Sequence, residues 1–194
     1  KMFIHICRNN DGSNQAMTIQ QIEPEIKFTN TVYGNNAQIC FAIVGYDYIN
    51  STAINTDSYA QLGGLFASHN EPGVFDVFVV ASIPGGVFGF APSAPAEYMA
   101  TKIDGFGVRR TFIHEMGHAL GLEHTFRGYP SDPQGCRELV NGSNSTTCGD
   151  FLVDTPADPN GLAGATANGC TYTGTATDAN GQLFNPITTN YMSY

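Results

Sequence analysis

The run His114-Glu115-Met116-Gly117-His118-Ala119-Leu120-Gly121-Leu122-Glu123-His124 constrains this chain more than any other stretch. Residues 108–120 carry good helix formers, with Val108, Phe112, Ile113, Met116, Ala119 and Leu120 spaced to form one apolar side. On such a helix His114 and His118, four apart, project from one face, so both imidazoles can reach a single ion. Glu115 falls one position round, beside that ion rather than on it. On a straight helix His124 would lie about 9 Å beyond His118 along the axis. Gly121 offers the way out, because a residue tolerant of positive φ can end the helix and fold His124 back toward the pair.

Three neutral imidazoles leave a fourth coordination position for water, the pattern of a catalytic rather than a structural zinc site. Zinc lowers the pKa of a bound water to about 7 and polarises a carbonyl. Glu115 is then the expected general base, taking a proton from the attacking water and delivering it to the leaving amine. The competing reading is coincidence on a surface helix. At this composition, five fixed residues in register arise by chance with a probability on the order of one in a hundred thousand, so the site reading prevails.

The 194 residues suffice for one domain with a substantial core, read as a single catalytic domain over 1–194 with an upper half of about 1–121 and a lower half of about 122–194. Eight basic against seventeen acidic residues give a net charge of −9. That balance argues against nucleic acid or an anionic membrane as a partner. No apolar run reaches the length of a membrane span. Cys7, Cys40, Cys136, Cys148 and Cys170 form no C-x-x-C pair, which removes a cysteine zinc site. The last three lie in a loop-rich region that gains most from a disulfide, which points to an oxidising compartment and a secreted, periplasmic or cell-surface protein. Asn50, Asn141 and Asn144 each head an N-x-S/T sequence. The chain opens directly in a strand-like segment, as a precursor trimmed at its N-terminus would.

Phe3 to Cys7 reads as a buried strand, and His5 within it as a core histidine. Thr18 with Gln21 resembles a capping box ahead of Ile19, Ile22, Ile26 and Tyr33 at helical spacing, with Pro24 expected to disturb the first turns. A second strand is expected within Gln38–Tyr48, then a loop or short helix around 57–69 that leaves His69 solvated. Val74 to Ile83 is apolar enough to be buried on both faces. Pro84-Gly85-Gly86 breaks it, and a short edge strand within Val87–Ala91 follows, where Gly89 lets another backbone come close. This order predicts an α/β fold, a twisted and mostly parallel sheet with an antiparallel edge strand and two main helices. Beyond residue 125 the chain turns rich in Gly, Asn, Thr, Asp and Pro, and an irregular, loop-rich lower half is expected.

His114 through His124, with the ending Asn190-Tyr191-Met192-Ser193-Tyr194, resembles the metzincin metallopeptidases. Within that clan, His124-Thr125-Phe126 and Cys148-Gly149-Asp150-Phe151-Leu152-Val153-Asp154-Thr155-Pro156 resemble the pappalysin (cytophagalysin-like) branch. The similarity runs in pieces over most of the chain. It implies a secreted zinc endopeptidase, monomeric, acting on proteins or peptides and released from an N-terminal prosegment. It makes Met192 the apolar floor under the imidazoles, which as a core methionine it would resemble in any case. It places the Tyr194 phenol where oxyanion charge develops. The strand at Gly89 and Phe90 resembles one that receives substrate by strand addition.

The same likeness implies calcium in the lower half, where Asp150, Asp154 and Thr155 offer hard oxygen ligands. An ordinary capped turn at Asp154-Thr155-Pro156 reads equally well. Cys148 and Cys170 flank this segment and are the preferred disulfide, with Cys136 able to compete for either, while Cys7 and Cys40 stay reduced and buried. Asp178 is the one acid after Asp158; some relatives select arginine through an acid near the end of the chain, but Asp178 does not align to that role. The chain stops at Tyr194, where metzincins continue into a further helix. Two other functions fit the same residues. One is a catalytically weak metzincin-fold binding or adhesion module, which would be marked by loss of Glu115 or a histidine. The other is a zinc hydrolase of a non-peptide amide.

Overall fold

A computed structural model describes residues 1–56, 61–102 and 108–193, with the backbone alone described at Leu62, Val108 and Arg109. The chain divides into two compact units, Lys1–Gly121 and Leu122–Tyr194. The first unit is α/β. Its order is β1 (Met2–Arg8), α1 (Ile19–Ala37), β2 (Ile43–Asn50), α2 (Thr52–Thr56), α3 (Leu62–His69), β3 (Phe75–Val80), a 3-10 turn at Pro84–Gly86, β4 (Gly89–Phe90), β5 (Tyr98–Lys102) and α4 (Val108–Ala119). The strands form one sheet in the order β2-β1-β3-β5-β4. β1 pairs in parallel with β2 and β3, and β3 in parallel with β5, while β4 runs antiparallel on the edge.

Strand periodicity sorts the side chains into two layers. Met2, Ile4, Ile6, Val77, Val79 and Met99 face Ile19, Ile22 and Ile26 of α1 and Phe112 and Met116 of α4. On the other face Cys7, Ile49, Phe78, Val80 and Ala100 pack with Leu65 of α3 and Ile83. Burial on both faces explains the nearly continuous apolar run of β3. α1 begins with a formed capping box, the Thr18 side chain meeting the N3 backbone and Gln21 reaching back to the Thr18 N–H. It ends on Gln38 at φ 57°, whose N–H reaches the Tyr33 carbonyl.

Several expectations need correction. Pro24 lies inside α1 without breaking it. The carbonyl it leaves unbonded is that of Gln20, an exposed residue where water can serve. β2 begins at Ile43 rather than near Gln38. A fifth main strand, β5, was not foreseen, because Tyr-Met-Ala-Thr-Lys is short and lacks a clean alternation. Leu120 is 44 % exposed rather than part of the apolar side of α4, since the helix has ended at Ala119. His69 is half-buried, its Nδ1 bonded to Ser68 Oγ at 2.8 Å. Part of the expected loop around 57–69 lies outside the described residues.

The second unit is irregular. β6 (Ala167–Asn168) and β7 (Thr171–Tyr172) pair antiparallel and are its named strands. A small core of Phe126, Tyr129, Ala157, Ala176 and Phe184 holds it, with a disulfide between Cys136 and Cys148. The expected Cys148–Cys170 bridge is therefore wrong. Cys136 lies 12 residues from Cys148, with the Cys136 carbonyl accepting the Gly149 N–H to close the same loop. Cys170 is free and exposed, and so is Cys40, which was expected to be buried; Cys7 is free and buried.

His5 is buried, as a core histidine should be. Its Nδ1 meets Asp47 Oδ1 at 2.8 Å and its Nε2 meets Asp76 Oδ1 at 3.0 Å, while the ring stacks on Phe78. Asp76 is fully buried, and the other donor to its Oδ1 is the Glu71 N–H at 3.4 Å. Removing the imidazole strands a buried carboxylate. His5→Leu is expected to lower stability by about 3–5 kcal/mol in denaturant unfolding, and Asp76→Asn added to it should recover part of that loss. A His5→Leu loss under about 0.5 kcal/mol, the level of an ordinary surface change, would contradict this account.

Candidate metal and catalytic site

α4 carries His114, Glu115 and His118, and the helix closes as predicted by its sequence chemistry. Leu120 N–H bonds to the Met116 and Gly117 carbonyls and Gly121 N–H to the His118 carbonyl. Gly121 sits at φ 95°, a conformation that a side chain would strain. A Cβ there would have open space around it, so its requirement is conformational rather than steric.

Within this one eleven-residue segment, His114, His118 and His124 each offer a ring nitrogen, all within 4.8 Å of one another. The Nε2 atoms of His114 and His118 are 3.1 Å apart. His114 is buried and the other two are half-buried. Among the described residues no other group of three His, Cys, Asp or Glu gathers so tightly. The donor set fits a borderline transition ion: imidazoles suit zinc, copper, iron and nickel, and no carboxylate belongs to the triad.

The residue that sequence reasoning missed is Asp132. Its Oδ2 lies 2.8 Å from His124 Nδ1. With Nδ1 so engaged, Nε2 is the nitrogen that His124 would present to a metal, and a carboxylate in this place fixes the tautomer of such a ring. His124 also stacks on Phe126 with ring centroids 4.6 Å apart. Asp158 does a related task nearby. Its Oδ2 accepts the Thr125 hydroxyl at 2.7 Å and the Ser193 hydroxyl at 2.6 Å, and its Oδ1 accepts the Asn160 N–H. The Thr125 N–H also donates to the Met192 carbonyl at 3.2 Å. The residue after His124 is thus fastened to both Met192 and Ser193. Met192 itself is buried. An aspartate eight residues past a histidine in an irregular loop carries no periodic signal, so neither carboxylate was visible in the sequence.

Glu115 is 6 % exposed. Burial pushes its carboxyl up to about 8, against the pull of a hydrogen bond from the Ala91 backbone N–H. Gly89 and Phe90 form β4 at the sheet edge, paired with Thr101 and Ala100. Tyr194 lies outside the described residues.

Asp150 is buried and feels the Asp154 charge, while the Thr155 hydroxyl bonds to it. Burial raises its carboxyl above the ordinary range. Glu138, again unforeseen, is 2 % exposed, with Oε2 lacking any hydrogen-bond partner among the described residues. Burial, then the Asp150 charge, pushes Glu138 up to about 7. Asp178 ties loop backbone together. Its Oδ1 accepts the Asn180 and Gln182 N–H groups and its Oδ2 that of Val140. A cleft of about 180 Å³ in this unit is bordered instead by Asp158, Tyr172, Pro186, Thr188 and Ser193.

No family model matches the chain. Over 105 residues, 46 % of its length, it is 31 % identical to an extracellular metalloprotease of Pyricularia oryzae. The chain spans about a third of that protein's length, 32 %. A solved structure entitled "Structure of a chaperone-substrate complex" aligns with 78 % of this chain and 30 % of that one, at 17 % identity and a TM-score of 0.47. The distant sequence match and the histidine triad together support a relationship to metalloproteases. No helix among the described residues is long and apolar enough to cross a membrane.

Asp132→Ala is expected to weaken metal binding by about 10–100-fold, read by competition against a chromophoric chelator. Asp132→Asn, which keeps an acceptor for Nδ1–H, should lose less. Equal affinity in all three proteins would remove Asp132 from the site.

Proposed function

We propose that the protein is a secreted, zinc-dependent endopeptidase of the metzincin type, in the pappalysin branch. The observation that carries this reading is the convergence of three imidazoles with a buried carboxylate at the intervening position. His114, His118 and His124 hold the ion, and Asp132 keeps the ring of His124 turned the right way. When bound, zinc supplies a Lewis acid that polarises the scissile carbonyl and eases loss of a proton from water. Glu115 accepts that proton and passes it to the departing amine.

β4 receives the peptide. Phe88 turns its carbonyl inward to accept the Lys102 N–H, so antiparallel alternation turns the N–H and C=O of Gly89 outward, as strand addition needs. Tyr194 donates to the developing oxyanion, and Met192 supports the imidazoles. The extracellular character of the fungal relative and the disulfide fit secretion. A precursor prosegment and a monomeric mature form complete the proposal.

Purified protein should cut a proteome-derived peptide library, lose activity to a chelator and regain it with zinc. Glu115→Ala should keep its metal and lose about 10²–10⁴-fold in turnover. Undiminished cleavage by that variant would remove Glu115 as the base.

We also propose a calcium ion at Asp150, Asp154 and Thr155. Asp150 is buried beside the charge of a second buried carboxyl, Glu138, whose Oε2 has no hydrogen-bond partner among the described residues, and a hard cation suits such a pair better than they suit each other. Without the ion, raised carboxyl pKa values favour the protonated fold, so this stability is present below about 4.5 and lost as pH rises through about 7. Millimolar calcium should therefore raise Tm by about 2–5 °C at pH 8, and by less at pH 5. The shift should vanish in Asp150→Asn; a calcium response equal at both pH values and in the variant would reject the site.

A further inference from the structure

Gly89 has a second property besides its place on the sheet edge. A Cβ built on it would come within 2.6 Å of Glu115 Cγ, 2.8 Å of Glu115 Oε1 and 2.5 Å of Thr111 Cγ2. Contacts that short do not occur between real atoms, so the carboxylate lies where a side chain at 89 would be. Two residues on, the Ala91 N–H is bonded to the same carboxylate. In the antiparallel alternation of β4, residues 89 and 91 turn their peptide groups away from β5, the same way. One of those groups holds Glu115, and the other stands next to it.

We propose that β4 is the positioning element for Glu115: the missing side chain of Gly89 admits the carboxylate, and the Ala91 N–H fixes its direction. The assignment rests on the peptidase reading for its consequence, but its geometry stands without it. Strand β4 then has two tasks at once. A peptide pairing with the outward groups of Gly89 would be laid against the carboxylate itself, so the strand that receives substrate sets the distance between substrate and base. Any side chain at 89 should push Glu115 aside without touching the imidazoles, and a displacement of about 1 Å is enough to cost about 100-fold in rate.

The test compares Gly89→Ala, Glu115→Ala and the double variant, each metal-loaded, by bound-metal content, thermal unfolding, and kcat and KM on a cleaved peptide. Gly89→Ala should keep one metal per chain, drop kcat by about 100-fold with KM nearly unchanged, and lower Tm by about 3–10 °C through overpacking. In the Glu115→Ala background the same substitution should cost a smaller Tm shift, because the crowded carboxylate is gone and only the Thr111 Cγ2 contact remains. Folding of the double variant where Gly89→Ala alone does not fold would be the same result in stronger form. An equal Tm penalty in both backgrounds, or an effect confined to KM, overturns the proposal. If the parent protein binds metal yet cuts no peptide, the peptidase reading fails, and the Tm coupling still decides whether β4 holds Glu115.

Discussion

The positive φ of Gly121 is the constraint on which the candidate site depends. A helix alone can offer two imidazoles to one ion, four residues apart, and no third. Ending α4 at Ala119 and reversing at Gly121 converts an axial displacement into convergence, and the three ring nitrogens close to within 4.8 Å. The reversal is local, but it would not by itself fix the third ring. Asp132 supplies that by taking Nδ1 of His124, and Asp158 secures the next residue through its hydroxyl. Two buried carboxylates in an otherwise loose unit are thus spent on one stretch of backbone.

That expenditure explains how an irregular unit can hold a side chain still. Its apolar core is small, Phe126, Tyr129, Ala157, Ala176 and Phe184 with Val140, Leu162, Ala165 and Tyr172 half-buried against them, too little to order more than seventy residues by burial alone. The remainder is fastened by polar staples: Asp178 on the N–H groups of Asn180, Gln182 and the distant Val140, Asn144 on Leu139 and Arg137, and the bridge of Cys136 with Cys148. Through Asp158, Thr125 and Ser193 are joined as well, positions more than sixty apart in sequence.

What could be read beforehand follows from the contrast between a sheet ordered by burial and loops ordered by single polar bonds. The parallel sheet was legible because burial imposes period and run length, so β1, β3 and α1 with its capping box stood out in the letters. The triad was legible because helical geometry and one glycine determine it. β5 was not, since a five-residue strand with a lysine at its end has no period to detect. Asp132, Asp158 and Glu138 were invisible for another reason: a side chain that bonds across a loop leaves no spacing rule behind. The disulfide misled for the same cause, because flanking a segment says nothing about which thiols meet.

The placement of Glu115 shows how a regular element and an irregular requirement meet in one residue. Its position in sequence is set by the helix, beside His114 and His118. Its burial is set by the strand next to it, and without that cover a carboxylate on a helix face would be solvated. Burial alone, however, would leave the side chain free to rotate into several directions. The backbone N–H of Ala91 removes that freedom, and it does so with a group that only a proline substitution would delete. The space that the missing Cβ of Gly89 leaves is filled by Glu115 and Thr111, so a residue without any functional group shapes the surroundings of the carboxylate.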